Sequence, residues 1–560
     1  MVEKMKLDNF EQVKNYEAEK EKKELDFIIN LTREALTDSE KEKEWNAVRT
    51  SFALYTEGKK GTYMMRPRYM ESKITVDDME YLLDVVEKYG DGRLHITTRQ
   101  DFQLHGLKRE VLADVLETIS KRGFFTKATC GDSTRSVITP PTTGFEKEVF
   151  DVGIYSRIIS DYILEGRHFM HLPRKYKIAL SNKEENSLYV KINDLGFQAV
   201  IKDGKRGFRV YAGGGLGPIS QHSIILREFI EEDEILYYVH AIKNLFADHG
   251  NRKIRARARL RYVLIKLGEE EFLKLCNEYI QNFYKEKGDE LKIFVRNILD
   301  NERKNNENLV ENENTEEENL EKFDDVNIVA GKNGKYGYYL RPVRGNIYKE
   351  DGLKFINFVR NLGYDVDIKI TNDQRILVRG LEKEDMFKLK DLMDGYYNGN
   401  DFFNSYSCIG STTCNVGIVD TPPILDYIFK YFEDEDKKEL TNYLPQLRIA
   451  GCPNSCATPQ IAKLGFSGRR KKDGEYFAIF AGGEFSGKTV KLNAIMGEIK
   501  ADKVPYFLED VAKAVKSEKI KFDEFVKDER FVNLIEKYKE FELESVDFGE
   551  FRRKDMGRAW

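Results

Sequence analysis

Residues 94–107 read LHITTRQDFQLHGL, and residues 368–381 read IKITNDQRILVRGL. The two stretches match without a gap: Thr371 falls on Thr97, Gln374 on Gln100 and Gly380 on Gly106. Each alternates apolar and polar residues around a polar turn, the period of two that marks a half-buried hairpin. Ahead of the first copy, Met79, Leu82, Leu83 and Val86 stand at i, i+3, i+4 and i+7 and predict a helix. Gly90 is placed to close that helix as a left-handed cap. Behind it, Leu112, Val115, Leu116 and Ile119 share the face of a second helix. A small α+β unit that occurs twice is therefore expected.

Other blocks recur in the same order. Tyr63-Met-Met-Arg-Pro67 returns as Tyr339-Leu-Arg-Pro342. Cys130 to Val137 is similar to Cys408 to Val416, Leu172 to Ala179 to Leu444 to Ala450, and Phe208 to Gly214 to Phe477 to Gly483. So long a period is no solenoid. It predicts an old duplication packed about a pseudo-twofold axis. Between the copies, Asn301 to Asp325 has few apolar residues and many Asn and Glu, which predicts a solvated, mobile linker.

A chain of 560 residues with 41% hydrophobic content can build several ordinary cores, and a net charge of −5 does not indicate nucleic acid. The charged start lacks the apolar stretch of a secretory signal. No apolar run nears the ~18 residues of a membrane span. A soluble protein of the cytoplasm is expected, with cysteines liganded rather than bridged.

Four of the six cysteines lie in two short stretches, Cys408-x5-Cys414 and Cys452-x3-Cys456. Thiolates are the ligands that iron–sulfur clusters select. Pro453 and the small residues Gly451, Asn454, Ser455 and Ala457 suit a tight loop that turns N–H groups towards sulfur. Zinc is the next reading, though its pairs are usually closer. Two disulfides or free buried thiols remain open as well. Cys130 and Cys276 are expected to be inert.

The first half carries cations where the second carries cysteines. Arg66, Arg68, Arg93, Arg99, Arg135, Arg174, Lys175 and Lys177 all lie in or beside repeated blocks. Arg forks grip carboxylates and Lys gives a mobile point charge. Their coincidence with the repeat suggests a polyanionic cofactor and a small anionic substrate. If the axis brings equivalent loops together, these cations face the cysteines across a shared cavity. The run Arg252 to Arg261 reads as a nucleic-acid patch or as basic residues facing acidic neighbours, ahead of cofactor contact. His105 suits packing, capping or a cofactor carboxylate equally. Gly213-Gly-Gly-Leu-Gly217 lacks the context of a nucleotide loop and reads as a tight turn.

At this point residues 60–490 resemble the siroheme-dependent sulfite and nitrite reductase family. The cysteine pattern followed by PQIAKLGFSG, the block ITTRQDFQLHG and LPRKYK carry the resemblance. It implies a duplicated α+β fold with two ferredoxin-like half-domains and two larger α+β domains. The implied limits are a helical arm at 1–55, half-domains at 56–125 and 327–400, a siroheme and substrate domain at 126–300, a linker at 301–326 and a cluster domain at 401–560. It implies a [4Fe-4S] cluster on Cys408, Cys414, Cys452 and Cys456, with Cys456 shared with the siroheme iron. Arg93, Thr98, Arg99, Gln103, His105, Arg174 and Asn454 are implied to face cofactor. Arg68, Arg135, Lys175 and Lys177 are implied to bind and protonate the substrate. In this family the second lysine of K-x-K tends to be Asn in nitrite enzymes, so Lys177 implies reduction of sulfite to sulfide, with nitrite to ammonium as the alternative. No flavin or NAD(P) module is recognisable, and electrons are expected from ferredoxin or a flavoprotein. A non-enzymatic cluster protein of the same descent is the rival class.

Overall fold

The architecture is that of a computed structural model, which describes residues 10–58, 61–68, 71–127, 129–165, 169–184, 188–305, 323–332, 334–393, 400–483, 491–540 and 548. In chain order the strands are β1 (Tyr55–Glu57), β2 (Thr62–Met65), β3 (Arg93–Ile96), β4 (Phe102–Leu107), β5 (Ile178–Ser181), β6 (Leu195–Lys202), β7 (Lys205–Ala212), β8 (Ile224–Glu231), β9 (Ile328–Ala330), β10 (Tyr336–Leu340), β11 (Asn346–Tyr348), β12 (Asp367–Ile370), β13 (Ile376–Leu381), β14 (Tyr406–Ser407), β15 (Leu447–Ala450), β16 (Leu464–Lys471), β17 (Gly474–Ala481) and β18 (Ile495–Lys500). They form sheets in the orders β1-β2-β4-β3-β11, β9-β10-β13-β12, β5-β6-β7-β8 and β14-β15-β16-β17-β18.

Both expected hairpins are present in one register. Leu94 stands opposite Leu104, and Ile368 opposite Val378. Each turn is closed by the same bond, Thr97 N–H to Asp101 O at 2.8 Å and Thr371 N–H to Arg375 O at 3.0 Å. Gln100 and Gln374 both take left-handed backbone there, at φ 59° and 66°. The flanking helices are Val76–Tyr89 and Leu112–Ser120, with the expected apolar residues buried. Gly90 is not a left-handed cap, since its φ is −111°. It is glycine because a Cβ there would lie 2.5 Å from His105 O.

The two copies trade edges. β11 of the second copy pairs with β3 of the first, Asn346 opposite His95. In return Lys73 bridges Lys369, Ile370 N–H donates to Ser72 O at 2.7 Å, and Ile74 N–H donates to Ile368 O at 3.1 Å. Met79, Leu82, Val86 and Ile96 then share one core with Ile347, Phe355, Ile370 and Val378. The N-terminal helices Phe10–Glu34 and Ser39–Val48 add Ile28, Leu31 and Trp45 to it.

The other two sheets repeat each other residue for residue. Ile178 pairs in parallel with Leu195, and 269 residues later Leu447 pairs with Leu464. Leu195 opposes Ala212 as Leu464 opposes Ala481. Ile192 and Ile461, equivalent by the same offset, pack on each other, so the pseudo-twofold axis runs between them.

This register corrects two of the sequence alignments. Ile138 bridges Ala179 where Tyr406 pairs with Arg448. Cys408 therefore stands at the place of Pro140, not of Cys130, and Ala179 falls on Arg448, two residues before Ala450. Strand pairing holds register, whereas the loops that carried those matches accept insertions. Helix Glu290–Asn305 runs into the expected linker, and residues 306–322 lie outside the described residues. Among the described residues no helix is long and apolar enough to cross a membrane.

Candidate functional site

β14 and β15 are adjacent and parallel, and each delivers a cysteine at its carboxyl end. Cys408 follows Ser407 directly, and Cys452 follows Ala450 by two residues. Gly451 N–H donates to Cys408 Sγ at 3.0 Å, and Thr421 Oγ1 lies 3.5 Å from the same sulfur. Backbone N–H groups of Val416 and Gly417 point to Cys414, and the backbone and side chain of Asn454 to Cys452. Three of the four sulfurs, those of Cys408, Cys414 and Cys452, thus have N–H groups directed at them. Asn454 reaches Cys452 and is otherwise exposed.

All six cysteines are unbridged. Burial pushes the Cys408 thiol up to about 12, with Cys456 adding to the rise. Burial also raises Cys414 and Cys452, and Cys456 contributes to both. The four thiols thus share one neighbourhood. Among the described residues no three His, Cys, Asp or Glu side chains are set to hold a single metal ion.

The cation loop of the first half lies against these cysteines. Burial lowers Lys175 to about 8, Arg259, Arg135 and Arg174 push it the same way, and Cys456 opposes them. Lys177 is lowered well below the lysine range by burial, Arg99, Lys175 and Arg259, with Cys456 again opposing. Arg68 is lowered to about 10 by burial, an effect that Asp101 opposes and Arg135 reinforces. So Arg68, Arg99, Arg135, Arg174, Lys175 and Lys177 gather as the sequence suggested.

Their attachments differ. Arg99 donates from Nη2 to Ser136 O at 2.6 Å and from Nη1 to Asn193 Oδ1 at 3.2 Å. Arg135 donates to Gly131 O at 2.7 Å, and Arg174 reaches Asp132 at 3.4 Å. Thr98 lies half-buried in the turn beside Arg99. Gln103 stands opposite His95, and Arg93 pairs with Asp91 at 2.8 Å. His105, on the same hairpin, bonds Glu57 through Nδ1.

Three residues escaped the sequence reading. Arg259 belongs to the basic run and faces acidic neighbours, as one reading of that run held: it pairs with buried Asp194, and Arg255 pairs with Asp132. Yet it also acts on both lysines. Asp101 is buried among Arg66, Arg68 and Arg99 and accepts from Ser136 Oγ at 2.9 Å. Glu57 is the third. The equivalent place in the second half is neutralised from within, because Asp373 and Arg375 stand for Arg99 and Asp101 and pair at 2.7 Å.

A model of the nitrite and sulphite reductase 4Fe-4S domain matches residues 130–283 and 398–540, and one of the nitrite/sulfite reductase ferredoxin-like half domain matches residues 56–122. The chain belongs to this family. It is 25% identical over 472 residues to the sulfite reductase [NADPH] hemoprotein beta-component of Geobacillus thermodenitrificans, covering 76% of each chain. It is 26% identical over 486 residues to that of Chromohalobacter salexigens, covering 78% of each. The structure of Mycobacterium tuberculosis NirA protein superposes with a TM-score of 0.70 at 22% identity, over 86% of this chain and 90% of that one, and shows the same fold.

The protein is thus an oxidoreductase of the sulfite and nitrite reductase family, with siroheme and a [4Fe-4S] cluster as cofactors. The side chains fit both groups. Four unbridged thiols, three of them with N–H groups directed at sulfur, suit the cluster. The macrocycle's carboxylates suit a crowd of buried cations that lower one another, and Nε of Arg66, Nε of Arg99 and Nε2 of His105 are buried without hydrogen-bond partners among the described residues.

Proposed function

We propose that this protein reduces sulfite to sulfide, SO3(2−) + 6e− + 7H+ → HS− + 3H2O. The observation that carries the reading is the pair Lys175 and Lys177 beside Cys456, each lowered by burial and by neighbouring cations. Burial and the neighbouring cations disfavour the charge on both lysines, and a small dianion between them would restore it. We also assign the cluster to Cys408, Cys414, Cys452 and Cys456, and the domain limits given above to the duplicated halves.

The cluster and siroheme supply the electrons and an iron at which the substrate is held. The chain supplies the rest. Lys175 and Lys177 neutralise and orient the anion and donate protons from Nζ to departing oxygen. Arg68 and Arg135 add fixed positive charge, since guanidinium does not give up its proton. Asp194 and Arg259 hold the lysine loop, through the bond from Lys177 N–H to Asp194 Oδ2 at 2.8 Å. Arg93, Thr98, Arg99, Gln103, His105 and Arg174 face the macrocycle in this assignment. The donor is external, a ferredoxin or a flavoprotein.

The test is an anaerobic visible spectrum with iron and sulfide assays, then kcat/KM for sulfite and nitrite with a reduced viologen. A macrocycle band and higher kcat/KM on sulfite are expected. Higher kcat/KM on nitrite reverses the substrate, and cluster absorption without a macrocycle band overturns the enzyme reading.

A further inference from the structure

Glu57 ends β1 and is 5% exposed. Its carboxylate takes His105 Nδ1, Gly106 N–H at 2.9 Å and Thr62 Oγ1 at 2.8 Å. The backbone on either side of it grips the cysteine loop of the other half. Gly58 N–H donates to Thr413 O at 3.0 Å, and Thr56 O accepts from Asn415 Nδ2 at 2.6 Å. Cys414 lies between these two anchor points. The approach is close, for a Cβ on Gly58 would stand 2.6 Å from Thr412 O. One three-residue strand therefore holds a histidine ring by a side chain and a ligand-bearing loop by its main chain.

A carboxylate behind a histidine decides which ring nitrogen carries the hydrogen and how the ring is turned. With Glu57 accepting, the hydrogen sits on Nδ1. Nε2 then faces away from Glu57, buried and without a hydrogen-bond partner among the described residues. The other groups around the ring are His95, edge-on at 5.5 Å between centroids, and Arg93, Asp91 and Arg66.

We propose that Glu57 is a positioning residue of the redox centre. It sets the orientation and proton placement of His105, and the strand that carries it seats the loop bearing Cys414. This rests on the reductase reading above.

The test is a double-mutant cycle on the holoenzyme with Glu57→Gln, His105→Asn and both together. Cofactor content, midpoint potentials by redox titration, and kcat and KM for sulfite are measured for each. Glu57→Gln is expected to keep both cofactors, to raise the midpoint potentials because a buried negative charge is gone, and to lower kcat roughly 10- to 100-fold at unchanged KM. Added to His105→Asn, it should lower kcat no further. Should Glu57→Gln not fold, Thr62→Val removes one bond to the same carboxylate and should shift the potentials the same way by less. Unchanged potentials, or kcat losses that multiply in the double variant, overturn the proposal. A wild-type protein without a macrocycle band defeats the reductase reading instead, whereas one with the band and an indifferent Glu57→Gln defeats this inference alone.

Discussion

Arg259 donates to both carboxylate oxygens of Asp194, from Nε at 3.1 Å and from Nη2 at 2.7 Å. Asp194 is fully buried and Arg259 nearly so. Taking away one partner of such a pair leaves an uncompensated buried charge, a loss of about 3–5 kcal/mol. Asp194→Ala should lower stability by that amount in a denaturant titration. It should also lower sulfite turnover, because the anchor of Lys177 N–H goes with it.

Lys177→Asn keeps a hydrogen-bond donor and removes one positive charge from the lysine pair. Sulfite turnover should fall far more than nitrite turnover, measured as kcat/KM for both anions with one viologen donor. Equal losses would show that Lys177 does not read the charge of the substrate.

Gly451 sits where the two cysteine loops touch. A Cβ there would lie 2.5 Å from Val419 O and 3.4 Å from Cys408 Sγ. The same glycine's carbonyl accepts Val419 N–H at 2.9 Å. Gly451→Ala should part the loops and cut iron and acid-labile sulfide per chain well below that of the parent, with the far-ultraviolet dichroism retained.

Glu148 supplies a pH dependence away from the cofactors. Burial, helped by Asp151, raises its carboxyl from 4.5 to about 7, against bonds from Asn182 and Gly144 N–H that favour the charged form. The folded chain therefore holds this proton more tightly than the unfolded chain. Its contribution is complete below pH ~4.5 and is lost as pH rises through ~7, up to about 3 kcal/mol in all. Glu148→Gln should flatten stability across that window, read from denaturation midpoints at stepped pH.

The hairpins and the two helices of the first half were legible because a period of two and one of 3.6 are written in Leu94, Phe102, Met79 and Leu112 and their neighbours. That four cysteines share one neighbourhood was legible because they lie in two short stretches. Edge pairing was not: whether Lys73 meets Lys369 depends on how two folded units pack, and no local pattern records that. Arg259 was hidden in a charge run whose members look alike until one of them meets Asp194. Glu57 was hidden as a single acid in a strand of three residues. The match of Cys130 to Cys408 misled because it rested on loop residues, and only the pairing of Ile138 with Ala179 and of Tyr406 with Arg448 restores the true correspondence.

The traded edges also constrain how this chain is made. β3 waits for β11, so the first sheet keeps an open side until residue 348 has left the ribosome, more than 240 residues after β3 itself. An unpaired strand edge is sticky throughout that interval. Synthesised alone, residues 1–300 would display it permanently and should aggregate, while supplying residues 327–400 as a separate polypeptide during refolding should rescue solubility by closing the sheet from outside.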